Sequence, residues 1–255
     1  MSLPLLGKVA IITGASRGIG AGVAERLAAD GATVVVNYNG SKSAADQLVE
    51  RINAGGKGKA VAAKADMSSL DESVRLVEDT ARQFGRLDVL VLNAAIVIDG
   101  TLDVITPEQF DSQFSLNVKV PLFMVQAAAR HMKAGGRVVF FSTSQTKASL
   151  VRPVYLLYIA TKGAIEQAMR VLAKDLGARG ITVNTVAPSA TDTDMLRNAL
   201  GRSPNANLAT EMANLHPQKR VARVDEIAPI VAFLASEEAG WVNGQVIHVS
   251  GGYIV

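Results

Sequence analysis

The sequence predicts an α/β fold in which a parallel sheet of about seven strands is covered by helices on both faces. Three observations predict it. Short runs rich in β-branched residues alternate with longer helical patterns. The strand runs are almost entirely apolar, which is typical of strands buried on both faces. A glycine-rich turn joins the first strand to the first helix, and right-handed crossovers close such units into one doubly wound sheet.

The elements follow one another in regular order along the chain. Strands predicted at 9–13, 32–36 and 60–65 are followed by helices at 20–29, 43–53 and 70–84. Further strands are predicted at 87–92, 137–141, 181–186 and 245–249, and a long helix begins near Tyr158 and runs to about Ala178. In the polar stretch 198–214, Gly201, Pro204 and Asn205 break helical periodicity. We therefore expect a loop there, as part of a substrate lid within 190–215.

Composition excludes several classes of function. The chain has 255 residues, 49% of them apolar, which predicts one domain over 1–255. The net charge of +3 includes no basic run, so no nucleic-acid partner is expected. There are no cysteines and only three scattered histidines, which argues against a metal site. Without a signal-like start or an 18-residue apolar segment, we expect a soluble cytoplasmic protein that does not bind membranes.

A glycine-rich loop follows the first strand. In Thr13-Gly14-Ala15-Ser16-Arg17-Gly18-Ile19-Gly20 the backbone lies where a dinucleotide pyrophosphate meets a helix N-terminus. Gly14 suits a tight turn, Gly18 lets the backbone approach phosphates, and Gly20 allows close packing of helix and strand. The loop residues expected to bind the cofactor are Gly14, Ser16, Arg17, Gly18, Ile19 and Gly20. The alternative is a glycine-rich turn that binds no ligand.

The end of the second strand indicates which dinucleotide binds. NAD-selective sites place a carboxylate there for the ribose 2′-hydroxyl, but this chain has Asn37-Tyr38-Asn39. Nothing at these positions repels a 2′-phosphate, and Arg17 or Ser41 could pair with it. NADP(H) is therefore favoured over NAD(H). Lys42 is a further candidate, although an ordinary helix-start lysine explains it better.

Tyr158 and Lys162 form the most specific signal. At a spacing of i and i+4 at the start of a helix, their side chains lie on one face. Tyrosine ionises near pH 10 in isolation, and a neighbouring ammonium group favours the phenolate. Such a pair makes proton transfer to a substrate oxygen feasible. Tyr155 lacks a lysine one turn later, because position 159 is isoleucine.

These motifs together resemble the short-chain dehydrogenase/reductase family. The opening Thr-Gly-x-x-x-Gly-Ile-Gly and the Tyr-x-x-x-Lys pair are similar to its signatures, and the closing segments 241–245 and 249–252 resemble its last strand. The resemblance covers nearly the whole chain. It implies hydride transfer between nicotinamide and a carbonyl or secondary alcohol, with Lys162 also bonding the nicotinamide ribose.

The resemblance also implies further site residues. Asn117 matches a helix asparagine that holds a water in a proton relay. Ser144 matches the serine that binds the substrate oxygen, with Ser142 and Thr143 left open as alternatives. The family's remaining cofactor contacts correspond to Asp66, Met67, Asn93, Ala94, Ala95, Pro188, Ser189, Thr191 and Thr193. Ala95 and Ser189 stand where the family usually has glycine. Ser69 and Glu72 form a capping box in sequence, which would leave Asp66 partly free for the nucleotide.

Substrate and assembly are less narrowly implied. The chain resembles 3-oxoacyl-carrier-protein reductases and NADPH-dependent ketone and naphthol reductases. Arg179 fits a carrier-protein docking position, but Ala134 replaces a basic residue expected near it. A carbonyl reductase for a small molecule is preferred, with a carrier-protein reductase and a non-catalytic NADP-sensing module as alternatives. Homo-oligomers, usually tetramers, are implied by the resemblance, in keeping with a small-residue face of Ala160, Ala164 and Ala168.

Overall fold

Seven parallel strands form one sheet in the order β3-β2-β1-β4-β5-β6-β7. The structure, a computed structural model, describes residues 3–203 and 205–255. The strands are Val9–Ile12 (β1), Thr33–Tyr38 (β2), Lys59–Lys64 (β3), Val89–Leu92 (β4), Arg137–Phe141 (β5), Thr182–Pro188 (β6) and Val246–Val249 (β7). This order is that of a doubly wound Rossmann-type sheet and confirms the predicted fold class.

Nine α-helices lie in the described residues. They are Gly18–Ala29 (α1), Lys42–Ala54 (α2), Leu70–Phe84 (α3), Pro107–Phe114 (α4), Val120–His131 (α5), Leu156–Gly177 (α6), Asp194–Arg202 (α7), Leu208–Asn214 (α8) and Val224–Ala235 (α9). A π-helical turn, Ser115–Lys119, joins α4 to α5, and a short 3₁₀ turn, Ser144–Thr146, follows β5. No helix in these residues is long and apolar enough to cross a bilayer.

Both faces of the sheet are buried. Along β1, Ala10 and Ile12 belong to one apolar cluster while Ile11 belongs to the other. Successive side chains of a strand point to opposite faces, so one strand contributes to two cores. At about 25 cal/mol per Å² of buried apolar area, these two cores supply the main favourable term in folding. The strands are therefore apolar because both of their faces are buried.

The strand order reverses beside β1, which pairs with β2 on one side and with β4 on the other. Ligands of such sheets bind outside the carboxyl ends of the strands at this switch point. The glycine-rich loop follows β1, Asn93 follows β4, and Ser142 follows β5. The topology therefore gathers at one edge several segments that the sequence analysis singled out separately.

The lid segment differs from the expectation of a loop. Apart from its first few residues, 190–215 is mostly helical, because α7 and α8 occupy Asp194–Arg202 and Leu208–Asn214. Thr193 caps α7 by accepting a hydrogen bond from the Leu196 amide, and Gly201 falls in the last turn, where a glycine costs little. Pro204 lies outside the described residues. Other elements begin or end within one or two residues of their predicted bounds.

Candidate active site

The glycine-rich loop has the backbone that only glycine adopts easily. Gly14 and Gly18 have φ angles of +61° and +57°. A Cβ built on Gly20 would lie 2.6 Å from both the Gly14 carbonyl oxygen and Asn93 Nδ2. The three separate roles predicted for these glycines, at the turn, at the phosphate and at the packing contact, fit this geometry.

Two buried asparagines hold the loop in place. Asn37 Oδ1 accepts a hydrogen bond from the Gly14 amide at 3.0 Å, and Asn37 Nδ2 donates to the Ala65 carbonyl at 3.0 Å. Asn93 Nδ2 donates to the carbonyls of Thr13 and Gly14. Asn37 is 1% exposed, so its side chain supports the loop from below. Its expected contact with the nucleotide stays a prediction.

A groove of about 460 Å³ runs over the loop towards β2 and β3. It is lined by most of the residues expected to bind the cofactor, namely Gly14, Ser16, Arg17, Gly18, Ile19, Asn37, Tyr38, Asn39, Ser41, Asp66, Met67, Asn93, Ala94, Ala95 and Thr193. Gly20 lies behind the loop and acts through packing. The groove therefore gathers most of the residues that the sequence analysis assigned to the cofactor.

The groove end next to β2 is polar. Asn39 is exposed there, and Arg17 lies 3.7 Å from Asp194 of α7 in an exposed ion pair. Lys42 instead pairs with Asp46 at 2.6 Å, one helical turn further on. Of the two cations considered for a 2′-phosphate, Arg17 lines the groove and Lys42 does not.

Asp66 lies in the same groove as an ionised carboxylate. The backbone amide and then the hydroxyl of Ser68 hydrogen-bond it and hold the pKa of Asp66 below its ordinary value. Half of the expected capping box is present, because Ser69 accepts from the Glu72 amide. The other half is wrong, since the Glu72 carboxylate accepts from the Asp66 amide at 2.8 Å. This bond fixes the backbone of Asp66 and leaves its carboxylate towards the groove.

Tyr158 and Lys162 lie together at a second cavity that adjoins the groove. Lys162 Nζ is 5.6 Å from the centre of the Tyr158 ring and donates to the Phe141 carbonyl at 2.8 Å. Burial lowers the pKa of Lys162 to about 8 and raises the pKa of Tyr158 to about 12. Desolvation disfavours the charged form of each group. In the protein alone, Tyr158 is thus a neutral phenol at neutral pH.

Asn117 occupies the π-helical turn, a feature frequent at functional sites. Its side chain binds both the amide and the carbonyl of Ile96 and donates to Thr161 Oγ1 at 3.2 Å. All its polar atoms are used in joining the segment after β4 to α6. The relay role implied by the family resemblance stays a prediction.

The three candidate hydroxyls after β5 have different surroundings. Ser142 donates to Glu166 Oε1 at 2.6 Å. Ser144 is fully buried, its Oγ has no hydrogen-bond partner in the described residues, and it does not line the cavity. Ser142 and Thr143 both line it. The choice of Ser144 is therefore corrected: the turn after β5 directs this side chain into the protein interior.

Several cavity residues carry no signal that sequence reasoning recognised. The apolar side chains Val97, Met195, Leu196, Ala199 and Met212 line the cavity beside Gln145 and Tyr155. Four of them come from the lid helices, and Val97 comes from the segment between β4 and α4. Recognising the lid as helical would have indicated the four lid residues, but Gly201 and Asn205 obscured the helical periodicity of that segment. Tyr155, which the sequence analysis rejected as the acid/base, packs edge-on against Tyr158 with 6.5 Å between the ring centroids.

The predicted nicotinamide-side residues also line this cavity. Pro188, Ser189, Thr191 and Thr193 stand at the end of β6 and the start of α7. The Ser189 hydroxyl lies 2.8 Å from Nε2 of His216, whose Nδ1 contacts the Met212 carbonyl at 2.9 Å. Replacing the usual glycine by serine thus ties the end of β6 to the end of α8.

A family model described as enoyl-(acyl carrier protein) reductase matches residues 14–254. The chain belongs to the short-chain dehydrogenase/reductase family. It is 42% identical over 254 residues to versicolorin reductase 1 of Aspergillus parasiticus, covering 96% of each chain. Its family membership makes it an oxidoreductase. These relatives give no support to a non-catalytic NADP-sensing module.

Two solved structures resemble the whole short-chain dehydrogenase/reductase chain. One is a short-chain dehydrogenase from Burkholderia cenocepacia in complex with NADP, with a TM-score of 0.90, 38% identity, and coverage of 98% of this chain and 99% of that one. The other is the angucycline C-6 ketoreductase LanV with bound NADP, with a TM-score of 0.90, 38% identity, and coverage of 99% and 98%. The likeness extends over the groove and the cavity together.

Proposed function

We propose that this enzyme transfers a hydride between NADP(H) and the carbonyl or secondary alcohol of a small apolar substrate. The observation that carries the proposal is the position of Tyr158 and Lys162 at a cavity that continues directly from the dinucleotide groove. Ile19, Asn93, Ala95 and Thr193 line both spaces. A reacting group in the groove and a carbonyl in the cavity would therefore meet beside Tyr158.

NADP(H) fits the groove better than NAD(H). Asn37 to Asn39 offer no carboxylate to a ribose 2′-hydroxyl, while Arg17, Asn39 and Ser41 line the groove where a 2′-phosphate would lie. Asp66 and Met67 would hold the adenine end, and Lys162 with Thr191 and Thr193 the nicotinamide end. The Burkholderia dehydrogenase and LanV were both solved with NADP. When bound, this cofactor supplies or accepts the hydride.

Tyr158 acts as the acid in the reductive direction. Its raised pKa, about 12, keeps the phenol protonated at neutral pH, so that it hydrogen-bonds the substrate oxygen and gives its proton to the alkoxide. The nearby Lys162 ammonium favours the resulting phenolate. Asn117, as the family resemblance implies, holds a relay water that restores the proton. A second hydroxyl, from residues 142–144, shares the substrate oxygen.

The substrate is proposed to be an aromatic or polycyclic ketone. Met195, Leu196, Ala199 and Met212 give the cavity an apolar wall on the lid side, and Tyr155 adds an aromatic face. Versicolorin reductase 1 and the angucycline ketoreductase are named for compounds of this kind. The lid, residues 190–215, would close over the substrate and exclude water.

A carrier-protein substrate is the weaker candidate. Arg179, the basic residue matched to a docking position, donates a hydrogen bond to the Ala129 carbonyl. Its guanidinium is thus used at the end of α5. A free small molecule therefore remains the preferred substrate.

Assembly and location are proposed as well. Phe123 of α5 and Val171 of α6 are 40% and 70% exposed. Such exposed apolar side chains on neighbouring helices are a natural contact between copies of the chain. We propose a homo-oligomer, a tetramer by the family resemblance, located in the cytoplasm.

Oxidation of NADPH and NADH at 340 nm by the purified enzyme tests the proposal, with a panel of aromatic ketones, aliphatic ketones, aldehydes and 3-oxoacyl thioesters. Tyr158→Phe should lower turnover with NADPH by at least about 100-fold, because the acid is removed. The variant should still bind NADPH, measured by nucleotide fluorescence, since the groove is intact. Undiminished turnover in Tyr158→Phe would contradict the proposal, as would an active enzyme that prefers NADH.

A further inference from the structure

Ser142 and Thr143 both line the cavity after β5, and of these two only Thr143 has an unused hydroxyl proton in the described residues. Thr143 Oγ1 accepts a hydrogen bond from the Gln145 amide at 3.4 Å, and in the described residues its own proton has no acceptor. The Ser142 proton is donated to Glu166, and Ser144 faces the interior. Hydroxyls are both donors and acceptors. Thr143 therefore has a donor left for a substrate oxygen.

Glu166 fixes the segment that carries Thr143. This carboxylate is 4% exposed, and its Oε1 lies 2.6 Å from the Ser142 hydroxyl and 2.7 Å from the Thr146 hydroxyl. The Thr146 hydroxyl is also 3.0 Å from the Thr143 carbonyl. One buried oxygen thus holds the chain on both sides of Thr143. Hydrogen bonds to a charged acceptor are stronger than those between neutral groups.

The same helix carries the acid and the residue that fixes the turn. Tyr158, Lys162 and Glu166 are spaced four residues apart on α6, so they lie along one face. Lys162 binds the Phe141 carbonyl while Glu166 binds Ser142 and Thr146. The position of Thr143 is therefore tied to α6, and through α6 to Tyr158.

We propose that Thr143 supplies the second hydroxyl that holds the substrate oxygen, and that Glu166 is the positioning residue that fixes Thr143. This inference rests on the proposed function, because it assigns roles in the same carbonyl reduction. It replaces the serine implied by the family resemblance with a threonine. It also gives a role to a buried carboxylate that proton transfer does not use.

Steady-state kinetics with NADPH and the best ketone of the panel test the role of Thr143. Thr143→Val keeps the shape of the side chain and removes the hydroxyl, so kcat should fall by about 100-fold with KM for NADPH unchanged. Thr143→Ser should stay within about threefold of the wild type. Thr80→Val is the matched control, because it removes another buried hydroxyl, bonded to Leu76 on α3. Normal kcat in Thr143→Val, or an equal loss in Ser144→Ala, would overturn the assignment.

A double-mutant cycle tests whether Glu166 acts through Thr143. Glu166→Ala should lower kcat by about 10-fold, since a small displacement of a catalytic group is costly. Glu166→Gln keeps an oxygen for both hydroxyls and should restore most of the rate. In the Thr143→Val background, Glu166→Ala should cause no further loss, because coupled residues are not additive.

Other outcomes contradict the inference in distinct ways. If the Glu166→Ala loss multiplies with the Thr143→Val loss, or Glu166→Gln gives no rescue, the positioning role is wrong. Should Glu166→Ala fail to fold, the pair Ser142→Ala and Thr146→Val removes both donors instead and carries the same expectations. Tyr158→Phe distinguishes failure of the proposed function from failure of this inference. If Tyr158→Phe keeps full turnover, the proposed function is wrong. If Tyr158→Phe loses turnover while Thr143→Val keeps normal turnover, only the inference is wrong.

Discussion

Lys162 holds a charge in the interior at an energetic cost. The side chain is 4% exposed, and its one hydrogen bond in the described residues goes to the Phe141 carbonyl. Burial lowers its pKa from 10.5 to about 8. The folded protein therefore binds the lysine proton more weakly than the unfolded chain does. A residue proposed to take part in the chemistry thus lowers stability, as is common where function constrains a buried site.

Replacing this lysine should stabilise the protein at neutral pH. The pKa shift corresponds to a destabilisation of about 3 kcal/mol that the substitution removes. Losing the hydrogen bond to the Phe141 carbonyl offsets about 1 kcal/mol of this gain. We expect Lys162→Met to raise the free energy of unfolding by about 2 kcal/mol at pH 7 while turnover is lost. Below pH 8 the lysine is charged in both states and the penalty is complete. Between pH 8 and 10.5 the folded lysine is neutral while the unfolded chain still holds its proton. The penalty shrinks across this range and is gone once the unfolded chain has also lost its proton.

Urea unfolding of the two proteins at pH 7 and pH 10, at equal protein concentration, checks this expectation. Lys64→Met removes an exposed lysine at the end of β3 and controls for the change of residue type. An equal difference between Lys162→Met and the wild type at both pH values would refute the argument from burial.

At the level of elements, the glycine-rich loop depends on three strands. Asn37 at the end of β2 and Asn93 after β4 bind the loop that follows β1. Gly20 lets α1 start close against this arrangement, where a Cβ would meet backbone atoms at 2.6 and 2.9 Å. Backbone atoms held by two neighbouring strands cannot move far. The backbone at the phosphate end of the groove is thus held rigidly, whereas the lid consists of helices.

Gly20→Ala should therefore lower both stability and cofactor affinity. Overpacking costs about 2 kcal/mol here, more than the gain of about 1 kcal/mol from the better helix former. Gly201→Ala is the matched change, since a Cβ at this exposed position of α7 meets no other atom, and it should stabilise by up to about 1 kcal/mol. Thermal unfolding and NADPH titration measure both effects. Tight NADPH binding by a stable Gly20→Ala variant would contradict the packing argument.

At the scale of the whole molecule, the proposed active site lies at one edge of the sheet, and the flank formed by α5 and α6 is the proposed surface for assembly. The cavity and the groove open beyond the carboxyl ends of the strands. Phe123 and Val171 lie on the two helices that cover another part of the sheet. The proposed catalytic site and the proposed contact between copies thus use separate surfaces of the same fold. Helix α6 contributes to both.

A charge placed on this flank should weaken the proposed assembly. Val171→Glu introduces a carboxylate that an apolar contact between copies would have to desolvate. We expect sedimentation velocity to show a shift towards the monomer. Leu6→Glu, at an apolar residue that is 66% exposed elsewhere, should leave the distribution unchanged. A shift in neither variant, with the wild type associated, would place the interface on another face.

The sequence by itself determined the features that are local or periodic. Apolar strand runs alternating with helical patterns predicted the sheet, the glycine spacing predicted the phosphate loop, and a four-residue interval placed Tyr158 and Lys162 on one face. Only the tertiary structure decided that Ser142 and Thr143 line the cavity while Ser144 faces the interior, that Asn37 supports the loop, and that the lid is helical. These outcomes depend on contacts between segments far apart in the chain. Glu166 and Ser142, 24 residues apart, are joined by a hydrogen bond that no pattern in the sequence indicates.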